Sequence, residues 1–134
     1  LDLHAILEHL KDLTANIPQP SAILLAGMSD GATYALQLGL KRPDLFPNIA
    51  AFSGMLDPSL LAEPPSPSAT QHIYWLHGHR DTMFPFELAK ESVAALKTKG
   101  LDVVLDEQPG LGHSFAASRV PATLDWFQTA IEGA

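Results

Sequence analysis

The sequence predicts an α/β fold, a parallel sheet of about four strands with helices on both faces. Three observations carry this expectation. Four short and nearly unbroken apolar runs, residues 21–26, 49–53, 73–76 and 103–105, have the length and composition of strands covered on both faces. Around them lie longer segments whose apolar residues recur at helical spacing. Proline and glycine punctuate the joins, so the order reads helix, strand, helix, strand, loop, strand, helix, strand, helix. Such alternation favours parallel strands joined through helices.

Leu3, Ile6, Leu7, Leu10 and Leu13 mark the first helix, with Asp2 as its cap and Ile17-Pro18 near its end. The run SAILLA, residues 21–26, follows as the first strand. A second helix spans residues 30–41 and stops at Arg42-Pro43. After the second strand, residues 55–71 are rich in proline and serine and read as a loop or lid rather than a domain linker. The third strand leads to a third helix over residues 85–99, with proline near its first turn and Gly100 just past its end. The fourth strand precedes a final helix whose stripe is Val120, Leu124, Phe127 and Ile131. At 134 residues, one domain over 1–134 is expected, large enough to bury roughly two thirds of the surface its unfolded chain exposes.

Hydrophobic residues make up 46% and charged residues 17%, and the net charge of -7 is dispersed without a basic block. Nucleic acid and anionic membrane surfaces are therefore disfavoured partners, and small neutral or cationic ligands are favoured. No apolar run reaches the ~18 residues of a membrane span, and no basic-then-apolar leader opens the chain, so a cytoplasmic location is expected. The absence of cysteine removes disulfides, thiol nucleophiles and thiolate metal sites together.

Gly27-Met28-Ser29-Asp30-Gly31 has the form G-x-S-x-G and lies where the first strand turns into the second helix. Both glycines are expected to be required, because side chains there would collide with neighbouring strands and helix. Ser29 itself would be held in a strained conformation that exposes its hydroxyl. Alone, the same residues fit a glycine-bracketed turn with a capping serine. A serine hydroxyl becomes a useful nucleophile only beside a base, itself oriented by a carboxylate. Residues 109–114, PGLGHS, put His113 on a glycine-rich turn after the fourth strand, and residues 76–81, LHGHRD, put Asp81 just past the third. All three groups then fall at the carboxyl ends of parallel strands, where open sheets of this class bind ligands. The order Ser29, Asp81, His113 is that of the α/β-hydrolases.

Through these residues the sequence resembles the phospholipase/carboxylesterase branch of the α/β-hydrolases, which includes acyl-protein thioesterases and bacterial carboxylesterases. The resemblance rests on LLAGMSDGATYALQLGLKRPDLFPNIAAFSGML, IYWLHGHRDTMFPFELAKESVAALKTKG and DEQPGLGHSF. Its most specific parts are the H-G-x-x-D-x-x-x-P pattern from His77 to Pro85 and the P-G-x-G-H pattern from Pro109 to His113. It implies a three-layer α/β-hydrolase-type parallel sheet, reduced to about four strands in a single minimal or truncated domain. It implies Ser29 as nucleophile, His113 as general base and acid, Asp81 as the group that orients His113, and the backbone N–H of Asp30 as one oxyanion donor. The implied activity is that of a serine carboxylesterase hydrolysing short-chain esters through an acyl-enzyme, without cofactor or metal. The alternative is a truncated, catalytically impaired hydrolase remnant acting as a ligand-binding or dimerisation module. The family commonly follows its serine with glutamine and two glycines, where this chain has Asp30-Gly31-Ala32. A carboxylate ~6 Å from a developing oxyanion would oppose it by about 3 kcal/mol at an effective dielectric of ~20, so Asp30 is expected to point outward.

The resemblance also implies an amino-terminal half with the early strands and a second oxyanion donor. Those strands would flank residues 22–26, an apolar edge that is open unless covered. A homodimer, or the missing half, is expected there. Met55, Leu60 and Leu61 of the proline-rich segment, with Met28 beside the nucleophile, are expected to line an acyl pocket. His77, His79 and Asp81 also spell H-x-H-x-D, part of a zinc pattern that wants a further histidine where this chain has Thr82. That reading leaves Ser29 unexplained. His77 is instead read as a strand-end histidine held by hydrogen bonds, and His79 as a solvent-facing loop residue. His4 and His9 lie off the first helix's apolar stripe, and His72 shows no partner in the sequence. Ser53-Gly54 is read as a structural turn, and Trp75 and Trp126 as core.

Overall fold

The structure, a computed structural model, describes residues 3–14, 22–62 and 70–133. Its strands are β1 (Leu25–Met28), β2 (Asn48–Phe52), β3 (His72–Gly78) and β4 (Asp102–Gln108), and its helices α1 (Leu3–Thr14), α2 (Asp30–Lys41), α3 (Phe86–Thr98) and α4 (Val120–Glu132). The four strands form one sheet in the order β1-β2-β3-β4, every neighbouring pair parallel. Alternating side chains of the central strands face opposite ways, so two cores form. Ile49, Ala51, Ile73 and Trp75 pack on one face against Ala32, Ala35 and Leu36 of α2 and Ala89, Val93 and Leu96 of α3. Ala50, Phe52, Tyr74 and Leu76 pack on the other face, where Trp126 of α4 covers them. Fully burying side chains such as Leu36, Ile49, Ile73 and Leu96 is worth about 1.5–3 kcal/mol each, which explains why the middle of the sheet reads so plainly as apolar runs.

The helix expected over residues 30–41 has those bounds in the structure. Helix α3 begins at Phe86 with Pro85 as its cap, and the chain leaves it through Gly100 at φ 91°. The expected end of α1 near Ile17-Pro18 and the central part of the proline-rich segment lie outside the described residues.

The two outer strands differ from expectation. β1 begins at Leu25 rather than residue 21, and its ladder with β2 runs from Leu25↔Ile49 to Met28↔Phe52. Among the described residues it pairs on one side only, the open edge expected there; it is half-buried with Ala26 exposed, which corrects the expectation of cover on both faces. β4 extends to Gln108, well past the apolar run at 103–105. At the sheet's edge only alternate residues face inward, Val103 buried and Val104 exposed, so the polar residues Asp102, Asp106 and Glu107 belong to the strand as well.

Candidate active site

Ser29 follows the last residue of β1 and precedes the first of α2, with φ 56° and ψ −123°, a conformation that costs a non-glycine residue about 1–3 kcal/mol. Its neighbours hold it there. The Ser29 amide donates to the Phe52 carbonyl at 2.8 Å, while its own carbonyl accepts from the amides of Ala32 and Thr33 at 3.0 Å each. The Thr33 hydroxyl donates to the same carbonyl and accepts from the Met55 amide, tying the turn to the segment after β2. A Cβ on Gly27 would stand 2.3 Å from the Gly31 carbonyl oxygen, so only glycine lets the strand pass this close to the helix start. At Gly31 a Cβ would meet nothing within 4 Å, which corrects the expectation that both glycines are required. Gly31 is the exposed second residue of α2 and turns away from the sheet. The amides of Asp30 and Gly31 head the helix, ahead of any carbonyl that could take them within it, and the positive end of the helix adjoins the serine. The Asp30 side chain is exposed, as expected.

His113 and Asp81 reach this turn from the segments that follow β4 and β3. Ser29 Oγ lies 2.8 Å from His113 Nε2, and His113 Nδ1 lies 2.8 Å from Asp81 Oδ2. An ionised carboxylate only accepts, so Nδ1 carries the proton and Nε2 turns its lone pair to the serine hydroxyl. The Asp81 side chain is fully buried, and its other oxygen accepts from the amides of Met83 at 3.0 Å and Phe84 at 2.8 Å. Burial pushes the Asp81 carboxyl up, but the Phe84 amide, the hydrogen bond from His113 and the nearby imidazoles outweigh it and hold the group below the usual carboxylate range. The turn that carries His113 is fastened to the acid turn by the Arg80 amide, which donates to the Leu111 carbonyl at 3.0 Å. Ser29 and His113 are both partly open to solvent.

The remaining expected residues divide between the two faces of the sheet. Met55 and Leu61 line a cavity of about 330 Å³ with Gly54, Leu56, Trp75 and Leu88, and Leu60 packs against the adjoining core. Met28 is not brought to them. It packs with Phe52 and Tyr74 on the α4 face and borders a second, apolar cleft of about 320 Å³ with Leu24, Phe115 and Leu124. His77 is fully buried and hydrogen-bonded, whereas His79 is exposed and lies 3.2 Å from Glu107. His79 thus lies apart from His77 and Asp81, and among the described residues no group of three or more His, Asp or Glu converges as metal ligands would. His72 does have a partner, Asp102 Oδ2 at 2.8 Å, because the β3–β4 register sets the two opposite each other. His4 and His9 are exposed. Trp75 is fully buried, and Trp126 stacks at a tilt on Tyr74. Sequence reasoning missed Phe84, whose ring stands edge-on to His113 with centroids 5.0 Å apart, and Thr33. No local pattern marked either. No helix among the described residues is long and apolar enough to cross a membrane.

The chain matches the family model described as phospholipase/carboxylesterase over residues 3–131. A protein of Oryza sativa subsp. japonica named as a probable carboxylesterase is 29% identical over 111 residues, 81% of this chain and 47% of its own length. Esterase YpfH of Escherichia coli (strain K12) is 31% identical over 105 residues, 78% of this chain and 44% of its own. Among solved structures, esterase PE8 superposes with a TM-score of 0.78 at 29% identity, covering 94% of this chain and 59% of that one. A Bacillus cereus carboxylesterase gives 0.75 at 16% identity over 96% of this chain and 59% of that one, a likeness of fold alone. The chain spans about half the length of the curated relatives it matches. With nearly its full length inside the family match and the same parallel sheet as these esterases, the chain belongs to the phospholipase/carboxylesterase family.

Proposed function

We propose that this chain hydrolyses carboxylic esters of small molecules through an acyl-enzyme, with Ser29 as nucleophile. The observation that carries the reading is the hydrogen-bonded row from Ser29 Oγ through the His113 ring to Asp81, each step 2.8 Å. In the proposed reaction Ser29 Oγ attacks the ester carbonyl carbon as its proton passes to His113 Nε2. The negative charge that develops on the carbonyl oxygen is met by the Asp30 amide at the head of α2. The tetrahedral intermediate collapses, the alcohol leaves with the proton from Nε2, and the acyl group stays on Ser29. Water then gives its proton to Nε2, attacks the acyl carbon, and releases the acid as the proton returns to Ser29. Asp81 keeps the ring in the working tautomer throughout. The acyl chain is assigned to the mostly apolar cavity beside Met55 and Leu61, whose lining does not itself include Ser29, Asp81 or His113.

Hydrolysis of p-nitrophenyl acetate and butyrate, compared with Ser29→Ala, tests the reading. Ser29-dependent release of p-nitrophenol supports it. Without such release, and without labelling of Ser29 by a serine-directed phosphonate, the esterase reading fails in favour of a catalytically impaired remnant acting as a ligand-binding or dimerisation module. For the acyl cavity, Leu61→Ala should shift the preference from acetate toward longer esters, and an unchanged acetate-to-butyrate ratio removes that assignment.

A further inference from the structure

Next to the Ser29–His113–Asp81 row lies a second histidine that the proposed reaction leaves unused. His77, near the end of β3, is fully buried, and both of its ring nitrogens are taken. The indole N–H of Trp75 reaches Nδ1 at 3.1 Å, and because an indole only donates, Nδ1 is the bare nitrogen. Nε2 lies 2.6 Å from the Phe84 carbonyl, which only accepts, so Nε2 carries the proton. Two fixed partners therefore set the tautomer. The same Nε2 also stands 3.4 Å from Asp81 Oδ2, the very oxygen that receives His113.

Phe84 links this buried ring to the site. Its carbonyl accepts from His77, its amide donates to Asp81 Oδ1 at 2.8 Å, and its ring packs edge-on against His113. A displacement of this one residue would move a donor to the carboxylate and the surface flanking the imidazole together. We infer that His77 is a positioning residue. Held by Trp75, it pins the 81–84 turn through the Phe84 carbonyl and so keeps both Asp81 and the Phe84 ring set against His113.

The kinetic consequence rests on the proposed ester hydrolysis; the geometric one does not, and the experiment separates them. Nitrogen-15 spectra of the histidine rings in the full chain should show His77 protonated on Nε2 and a slowly exchanging Nδ1–H on His113. An Nδ1–H tautomer for His77 overturns the inference whatever the activity. Two variants follow. His77→Gln offers an amide to the Phe84 carbonyl, whereas His77→Leu fills the space without one. In His77→Leu the His113 Nδ1–H signal should be lost to exchange and phosphonate labelling of Ser29 should slow roughly 10- to 100-fold, the scale expected when a supporting group is removed. In His77→Gln both should stay near the parent. Equal behaviour of the two variants, in either direction, overturns the inference. Should His77→Leu fail to fold, the parent's tautomer and the His77→Gln labelling rate still decide it. A parent chain that neither hydrolyses nor labels removes the hydrolytic reading only, and the His113 ring signal then judges His77.

Discussion

Ser29 and Ser53 are built alike. Each follows the last residue of a parallel strand, each has φ 56°, and each donates its amide to the last paired apolar residue of the next strand, Ser29 to Phe52 and Ser53 to Leu76. Beyond the backbone they part. Ser29 faces His113 and is partly open, whereas Ser53 is fully buried and its hydroxyl has no hydrogen-bond partner among the described residues. A strained serine at a strand end is thus a product of sheet packing, made twice in this fold. Reactivity on the proposed reading comes from what stands opposite, an imidazole delivered by the loop after β4, and from the helix that begins at once after Ser29 but not after Ser53.

The largest effect should separate the two hydroxyls. Ser29→Ala should lower p-nitrophenyl ester turnover by roughly 10,000-fold or more, while Ser53→Ala leaves it near the parent value. Comparable losses in both would break the comparison. The glycines should sharpen it next. Gly27→Ala forces a Cβ into backbone of the α2 start and should cost about 3 kcal/mol by urea unfolding. Gly31→Ala, in open space on a helix, should stabilise by about 0.5–1 kcal/mol.

Acid should act on one site and spare the other. The folded Asp81 carboxyl is depressed, so its contribution to stability is full above the unfolded carboxylate pKa of ~3.9 and is lost as pH falls through the lower folded value. Urea midpoints followed from about pH 6 to about pH 2 should therefore converge for the parent and Asp81→Asn as the pH drops, and a constant gap would remove this linkage. Ser53→Ala should shift the unfolding curve equally at every pH. Its effect is the smallest, a gain of up to about 1 kcal/mol, because it deletes an unsatisfied buried hydroxyl and leaves the backbone as it was.

How legible these features are depends on where their causes lie along the chain. Helix α2 was readable to the residue because its start at the serine turn and its stop before Pro43 are local. The rim shared by Ser29, Asp81 and His113 was readable as well, since each follows a strand and parallel strands present their carboxyl ends together. The exposure of Ala26 in β1 was not, because a run of apolar residues cannot report which of its faces is covered. Nor was the length of β4, where an edge strand mixes polar and apolar residues. The His72–Asp102 pair spans 30 positions and follows only from the β3–β4 register.

Sequence alone determined the alternation of strands and helices, the need for glycine at position 27, and which three polar groups fall at the carboxyl ends of the strands. These are local matters of chain geometry and residue chemistry. Tertiary structure decided that the imidazole lies within hydrogen-bonding reach of one serine and not the other, that Met28 is divided by the sheet from Met55 and Leu61, and that Trp75 and Phe84 together set the proton on His77. Those outcomes depend on where side chains come to lie once the elements are packed against one another, and no local pattern in the chain sets that.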